Sequence, residues 1–153
     1  MSSYTRYQES LEGLPDLEKV ELVNLFWTYS IDYLREAEGK DHWQTPKETL
    51  SLGTGDCEDK ATGIFVDLVD AGLKARLIYG LVALYDGGSE GHIAVSVEIE
   101  GKKHVINDVH GFAEIMSMDW DNLYNASGVV CNLSIDTVLP RWAECKRRIE
   151  NGE

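Results

Sequence analysis

The sequence predicts an α+β fold, with helices packed on an antiparallel sheet. Three observations carry this expectation. Helical periodicity fills the first half of the chain. Alternating or continuously apolar strand patterns follow one another in the second half. Short turn signals, not helices, separate those strands. The chain has 153 residues, enough for a core, and no linker or repeat divides it, so residues 1–153 read as a single domain.

The elements follow in order. Residues 1–15 are polar and are expected to be a loose lead-in. Asp16 can cap a helix running to about Ala37 and stopped by Gly39, with Val20, Val23, Leu25, Phe26, Trp27, Ile31 and Leu34 as its broad apolar face. "GKDHWQTP" reads as a loop, because Pro46 disfavours helix at Thr45. Asp56 is a good N-cap for a helix from Cys57, whose apolar positions Ala61, Ile64, Phe65, Leu68 and Val69 keep helical spacing up to the stop at Gly72. Arg76 to Leu84 reads as a buried strand, and "DGGSEG" as a turn. In "HIAVSVEI", Ile93, Val95, Val97 and Ile99 alternate with His92, Ala94, Ser96 and Glu98. "EGK" is the expected hairpin turn, "KHVINDV" the return strand and "GVVCNLSI" a further strand. Pro140 opens a terminal helix over Arg141 to Glu150.

Composition narrows the function. A formal net charge of -13 argues against nucleic acid or an anionic membrane as partner, since both require clustered Lys and Arg. Hydrophobic residues make up 43% of the chain, which fits a folded globule, and no apolar run is long enough to span a bilayer. Cys57, Cys131 and Cys145 are an odd number without paired spacing, which fits a reducing compartment and gives no local zinc ligand pair. The first residues lack a basic start followed by an apolar run, so a cytoplasmic location is expected.

The chemistry centres on "GTGDCEDKA". Cys57 falls at the start of its helix, where unsatisfied amides and the helix dipole favour a thiolate. Two glycines ahead of it, Gly53 and Gly55, are expected to let the backbone approach a substrate. The competing reading is a small buried apolar residue, the usual fate of a free cysteine. Cys131 and Cys145 look structural. A nucleophilic thiol needs a base, and the base an orienting partner. His92 opens one strand of the hairpin and Asp108 closes the other. A three-residue turn sets Ile99 opposite Lys103 and leaves Asp108 as the diagonal neighbour of His92, whereas a two-residue turn puts Asp108 on the opposite face. His110 is the serious rival base. His104 should lie further along the strand, and His42 in an exposed loop.

These residues carry a resemblance. "WQTPKETL", "GxGDCEDKA", "RLIY", "GHIAVSV" and "VIND", in this order, resemble the bacterial transglutaminase-like cysteine proteinases, over roughly Trp43 to Asp108. The "GxGDCED" block is the specific part. The resemblance implies a papain-like, transglutaminase-like fold, with Cys57 as nucleophile, His92 as general base and Asp108 as its orienting partner. It implies that Trp43 or Gln44 lines the cleft and donates to an oxyanion alongside the Cys57 amide. It further implies a calcium ion at the acidic residues Asp56, Glu58 and Asp59, whose oxygens suit a hard cation. The competing role for those acids is ordinary helix capping, and for Trp43 packing under the cysteine loop. "VIND" stands where the family more usually ends Leu-Asp-Asn, and Lys60 where it often carries an aromatic.

The expected activity is hydrolysis of an amide or peptide bond in a protein or peptide substrate, through a thioester and without an organic cofactor. The same groups serve a transglutaminase if an amine takes the thioester, or a glutamine deamidase if the substrate is a glutamine side chain. A non-catalytic binding or inhibitor module on the same scaffold, with a protein partner, is the alternative from another class.

Overall fold

The computed structural model describes residues 2–34, 42–83, 89–106, 115–117, 129–130 and 138–153. The residues expected to be a loose lead-in form a helix, α1 (Ser3–Leu11), capped by the Ser2 hydroxyl, which accepts from the Thr5 amide at 3.1 Å. Its apolar residues are few, but Tyr4, Tyr7 and Leu11 keep the helical spacing of three and four and join the core. The polar residues between them are simply its outer face.

Helix α2 (Asp16–Ser30) ends well short of Ala37. Ile31 turns extended, and the Asp32 and Leu34 amides bond to the carbonyls of Gly53 at 3.0 Å and Gly55 at 2.9 Å. The result is a parallel pair, β1 (Asp32–Tyr33) with β2 (Thr54–Gly55). A long-range ladder thus takes over the backbone groups that another helical turn would have used. Between these strands lies α3 (Pro46–Leu52), in the stretch expected as loop and its continuation. Its start was written in the sequence: Thr45 and Glu48 form a reciprocal capping box, with Pro46 as the first helical residue. Gly53 ends it at φ 72°.

Helix α4 (Cys57–Asp70) starts and stops where expected, with Asp56 as N-cap and Gly72 beyond its end at φ 87°. The strands β3 (Lys74–Ala83), β4 (Ser89–Ile99), β5 (Lys102–Ile106), β6 (Ile115–Ser117) and β7 (Val129–Val130) form an antiparallel sheet in the order β6-β5-β4-β3-β7. The terminal helix α5 (Val138–Glu150) contains the expected span and begins two residues before Pro140. No described helix is long and apolar enough to cross a membrane.

The β4–β5 turn corrects one expectation. Ile99 pairs with Lys102, not Lys103, so the turn is the two residues Glu100 and Gly101. Both have positive φ, 51° and 77°, as a type I′ turn requires. That turn matches the right-handed twist of the flanking strands, which explains why it replaces the three-residue alternative. The ladder continues to Val95 opposite Ile106. The register condition that was to bring Asp108 and His92 onto one face is therefore not met. Asp108 itself lies outside the described residues.

The core sits between α4 and the sheet. Ala61, Ile64 and Leu68 of α4 meet Ile93, Val95, Val97 and Ile99 of β4, and α2 adds Val20, Val23 and Trp27. Trp27 lies flat on the helix at Gly63, where a Cβ would stand 2.4 Å from its ring. A buried polar anchor accompanies this packing. Asp67 of α4 accepts hydrogen bonds from Tyr4 Oη at 2.8 Å, Tyr7 Oη at 2.7 Å and Trp27 Nε1 at 2.7 Å. Three helices are thereby joined at the back of the helix that begins with Cys57.

Candidate active site

Cys57 is the first residue of α4, and β2 leads directly into it. Its side chain is half-buried and faces β4, where the backbone N–H of Ile93 points at the sulfur. Ile93 directly follows His92, which lies in the same strand opposite Gly80. The backbone thus brings the expected nucleophile to the position of the expected base. The side chain of His92 is outside the description, as are Asp108 and His110.

The electrostatics of the thiol overturn the expectation from its helix position. Burial pushes the Cys57 thiol up to about 12. The Ile93 amide opposes this, the Asp56 and Glu58 carboxylates add to it, and the Glu58 amide opposes it. Desolvation and two neighbouring anions outweigh the amides at the helix start. In these surroundings the sulfur keeps its proton at neutral pH, so forming a thiolate depends on a partner that takes the proton. Glu58 is the adjustable part, because Arg141 Nη2 holds its carboxylate at 3.3 Å. Glu58→Gln is expected to speed iodoacetamide alkylation of Cys57 about threefold at pH 7.4, because the thiolate fraction rises as the pKa falls. Arg141→Gln, which leaves the Glu58 charge uncompensated, is expected to slow it. Equal rates in both variants would show that these charges do not reach the sulfur.

Trp43 and Gln44 are both buried, and the structure separates them. The Trp43 indole N–H donates to Thr62 Oγ1 at 2.7 Å, and Thr62 in turn donates to the Glu58 carbonyl at 2.6 Å. Trp43 also packs against Trp142 with ring centroids 5.5 Å apart. It packs beside the first turns of α4, and its N–H is spent. Gln44 is held at three atoms. Its amide donates to Asp59 Oδ1 at 2.8 Å, its Oε1 accepts from Thr49 at 2.9 Å, and its carbonyl accepts from the Cys145 thiol at 3.6 Å. These contacts fix the side chain and use its oxygen, leaving Nε2 as the group with protons to give.

The three acids divide in the same way. Asp59 is fully buried and closes the capping box, taking the Gln44 amide on one oxygen and the Asp56 amide on the other at 3.1 Å. Burial, and next the Asp56 charge, push its carboxyl up to about 8, against the pull of those two amides. Asp56 accepts from the Asp59 amide at 3.3 Å. Glu58 is drawn to Arg141. Among the described residues no three His, Cys, Asp or Glu side chains form a group that could hold a metal ion.

The glycines have internal roles rather than the expected one. Gly53 caps α3, and a Cβ on Gly55 would stand 2.8 Å from Asp59 Cβ. His104 pairs across from Val97, well along the ladder from His92, and His42 is an exposed partner of Glu48. Cys145 is buried, as expected of a structural cysteine, and Cys131 lies outside the described residues. Thr62 and Arg141 are supporting residues not assigned to the site from the sequence. Only Thr62 had a local signal, its spacing of four from Glu58 on one helix, which suits a hydroxyl bonding back to a carbonyl.

The sequence matches the profile of the transglutaminase-like superfamily over residues 5–116. Among solved structures, LapG of Legionella pneumophila superposes with a TM-score of 0.67 at 21% identity, covering 94% of this chain and 83% of that one. An EGTA-treated form of the same protein gives 0.70 at 18% identity, with coverage of 94% and 84%. A calcium-bound form gives 0.64 at 21% identity, with coverage of 81% and 67%. No curated protein sequence matches this chain.

Proposed function

Because this chain belongs to the transglutaminase-like superfamily, we propose that it is a cysteine peptidase-like thiol hydrolase acting on amide bonds of polypeptides through Cys57, His92 and Asp108. The observation that carries this reading is the Cys57 sulfur at the start of α4, against the Ile93 amide, one residue from His92. His92 takes the thiol proton as the sulfur attacks the carbonyl carbon. The oxyanion is met by the Cys57 amide and Gln44 Nε2. The C–N bond breaks as His92 returns the proton to the departing amine, leaving a thioester. Water, deprotonated by His92, attacks that thioester and releases the acid and the free thiol. Asp108 holds the imidazole. Its candidacy rests on chain order and on the resemblance, not on the hairpin register. An amine in place of that water gives a transglutaminase, and a glutamine side chain as substrate gives a deamidase.

Selective alkylation tests the reading. Burial pushes the Cys145 thiol up less than that of Cys57, to about 11, yet Cys57 is expected to react with iodoacetamide at least about tenfold faster, because His92 takes its proton. His92→Ala is expected to abolish or reverse the difference. Peptide mapping that finds Cys57 no faster than Cys145 removes the nucleophile and with it the proposal.

One observation favours calcium as a ligand. Asp56 and Asp59 repel each other at the start of α4, which helps to hold the Asp59 carboxyl at about 8. Each carboxylate oxygen keeps a second lone pair after accepting an amide, so these two residues fit a hard cation, while Glu58 is engaged by Arg141. A bound cation would offset the anions beside the thiol. In thermal melts, millimolar calcium is expected to raise Tm by about 3–5 °C over EGTA. The gain should vanish in Asp56→Asn. A melt indifferent to calcium rules the ion out.

A further inference from the structure

The backbone on both sides of Gln44 is held by groups from three helices. The Gln44 amide donates to Asp59 Oδ1 of α4 at 2.8 Å. The peptide unit that follows is gripped at both ends. Its oxygen, the Gln44 carbonyl, accepts from the Cys145 thiol of α5 at 3.6 Å. Its N–H, that of Thr45, donates to Glu48 Oε1 of α3 at 3.3 Å. The same Glu48 oxygen takes Arg148 Nη2 of α5, while Oε2 meets His42 Nε2 at 2.9 Å. Cys145 and Arg148 are three residues apart and share one face of α5. One face of a helix about 100 residues further along the chain thus acts on a single planar peptide, directly at its oxygen and through Glu48 at its N–H. The Gln44 side chain is fixed as well, because Thr49 Oγ1 donates to its Oε1 at 2.9 Å.

We propose that Arg148 is a positioning residue for the chemistry at Cys57: through Glu48 it holds the Gln44–Thr45 peptide in the orientation that aims Gln44 Nε2 at the oxyanion. Arg148 does this without touching the substrate. An oxyanion donor works only if it is already in place when charge develops, and a misplacement of about 1 Å can cost about 10²-fold in rate. Of the two α5 contacts, the guanidinium–carboxylate bond is the stronger, because it is charge-assisted, whereas a thiol is a weak donor. The pair is also half-buried, with side-chain exposures of 20% for Arg148 and 30% for Glu48, so solvent screens it only in part. Lys47 Nζ donates to the Gly152 carbonyl at 2.8 Å and fastens α3 to the end of the chain beyond α5. This inference rests on the hydrolase reading, in which Gln44 meets the oxyanion.

Kinetics of the full chain on p-nitrophenyl acetate test the proposal. Arg148→Met keeps the aliphatic stem and loses the guanidinium. It is expected to lower kcat about tenfold, with KM within about twofold. Arg147→Met is the control and should match the unmutated protein, since Arg147 pairs with Glu144 at the surface. The Gln44→Ala background separates positioning from a general loss of structure. There Arg148→Met should lower kcat by less than about a further twofold, because the group it positions is gone. Glu48→Gln keeps an acceptor for the Thr45 amide but loses the charge that holds Arg148. It should reproduce the loss in part, and it decides the matter if Arg148→Met fails to fold. An unchanged kcat in these variants, a change confined to KM, or losses that multiply with Gln44→Ala would overturn the proposal. Gln44→Ala as fast as the unmutated protein would overturn it too, while leaving Cys57 as nucleophile. Turnover no higher than that of Cys57→Ala would instead sink the hydrolase reading. Hydrogen exchange then judges the clamp without turnover: the Gln44 and Thr45 amides should exchange at least about tenfold faster in Arg148→Met, and unchanged exchange overturns it.

Discussion

Asp67→Ala is expected to destabilise the protein by about 3–5 kcal/mol. Asp67 is buried, and it is the acceptor for Tyr4, Tyr7 and Trp27. Alanine leaves a buried phenol and a buried indole N–H without an acceptor, each worth about 1–3 kcal/mol, and frees a third donor that is partly solvated. A domain of this size has only about 5–15 kcal/mol to lose. The carboxyl sits above the ordinary aspartate range because burial outweighs its three donors, and the Tyr7 phenol is pushed up by burial and by the Asp67 charge. Tyr4→Phe and Tyr7→Phe should each cost about 1 kcal/mol, since they remove a donor without stranding one. Urea unfolding measures the difference. Proteolysis between α1 and α2 should accelerate in Asp67→Ala before global unfolding, because Tyr4 and Tyr7 tie α1 to α4. A loss below about 1 kcal/mol would mean that water replaces the carboxylate at no cost, and that the anchor is incidental.

Gln44→Ala is expected to lower kcat about 10²–10³-fold on an activated ester such as p-nitrophenyl acetate, with KM little changed. An oxyanion donor acts on charge that exists only in the transition state, so its loss appears in kcat. Stability should barely move, because Thr49 Oγ1 keeps its second acceptor, the Thr45 carbonyl at 3.2 Å. Trp43→Phe keeps the ring, loses the bond to Thr62 and leaves kcat within about threefold, because that indole N–H is already committed. The reverse pattern, with Trp43→Phe slow and Gln44→Ala fast, would assign the oxyanion to Trp43 and show that its contact with Thr62 breaks during turnover.

What could be read in the sequence was local. The start of α4 at "GDCED", its stop at Gly72, and the alternation of Ile93, Val95, Val97 and Ile99 depend on residues within a few positions of one another. Helix α3 is equally legible, since Thr45, Pro46 and Glu48 form a complete N-terminal signal at the end of the expected loop "GKDHWQTP". The end of α2 was not legible. Its apolar pattern runs on past Ser30, and it stops because Asp32 and Leu34 bond to Gly53 and Gly55, some twenty residues further along the chain. The hairpin register turned on one residue of turn length, a choice that strand twist favours and that Gly101 at positive φ permits.

The site divides along the same line. The sequence by itself determined where the Cys57 thiol stands, because an N-cap at Asp56 and a capping acid at Asp59 around it leave little freedom to the backbone. It also determined the order in which helix, strand and hairpin reach that thiol. Only the tertiary structure decided what surrounds it. Desolvation depends on total packing, so the thiol is raised to about 12 where its helix position argued for lowering. Hydrogen-bond commitment depends on neighbours distant in sequence, so the Trp43 donor is occupied by Thr62 while Gln44 is held by Asp59, Thr49 and Cys145. Burial and hydrogen-bond pairing are properties of the assembled neighbourhood, and no single stretch of chain contains them.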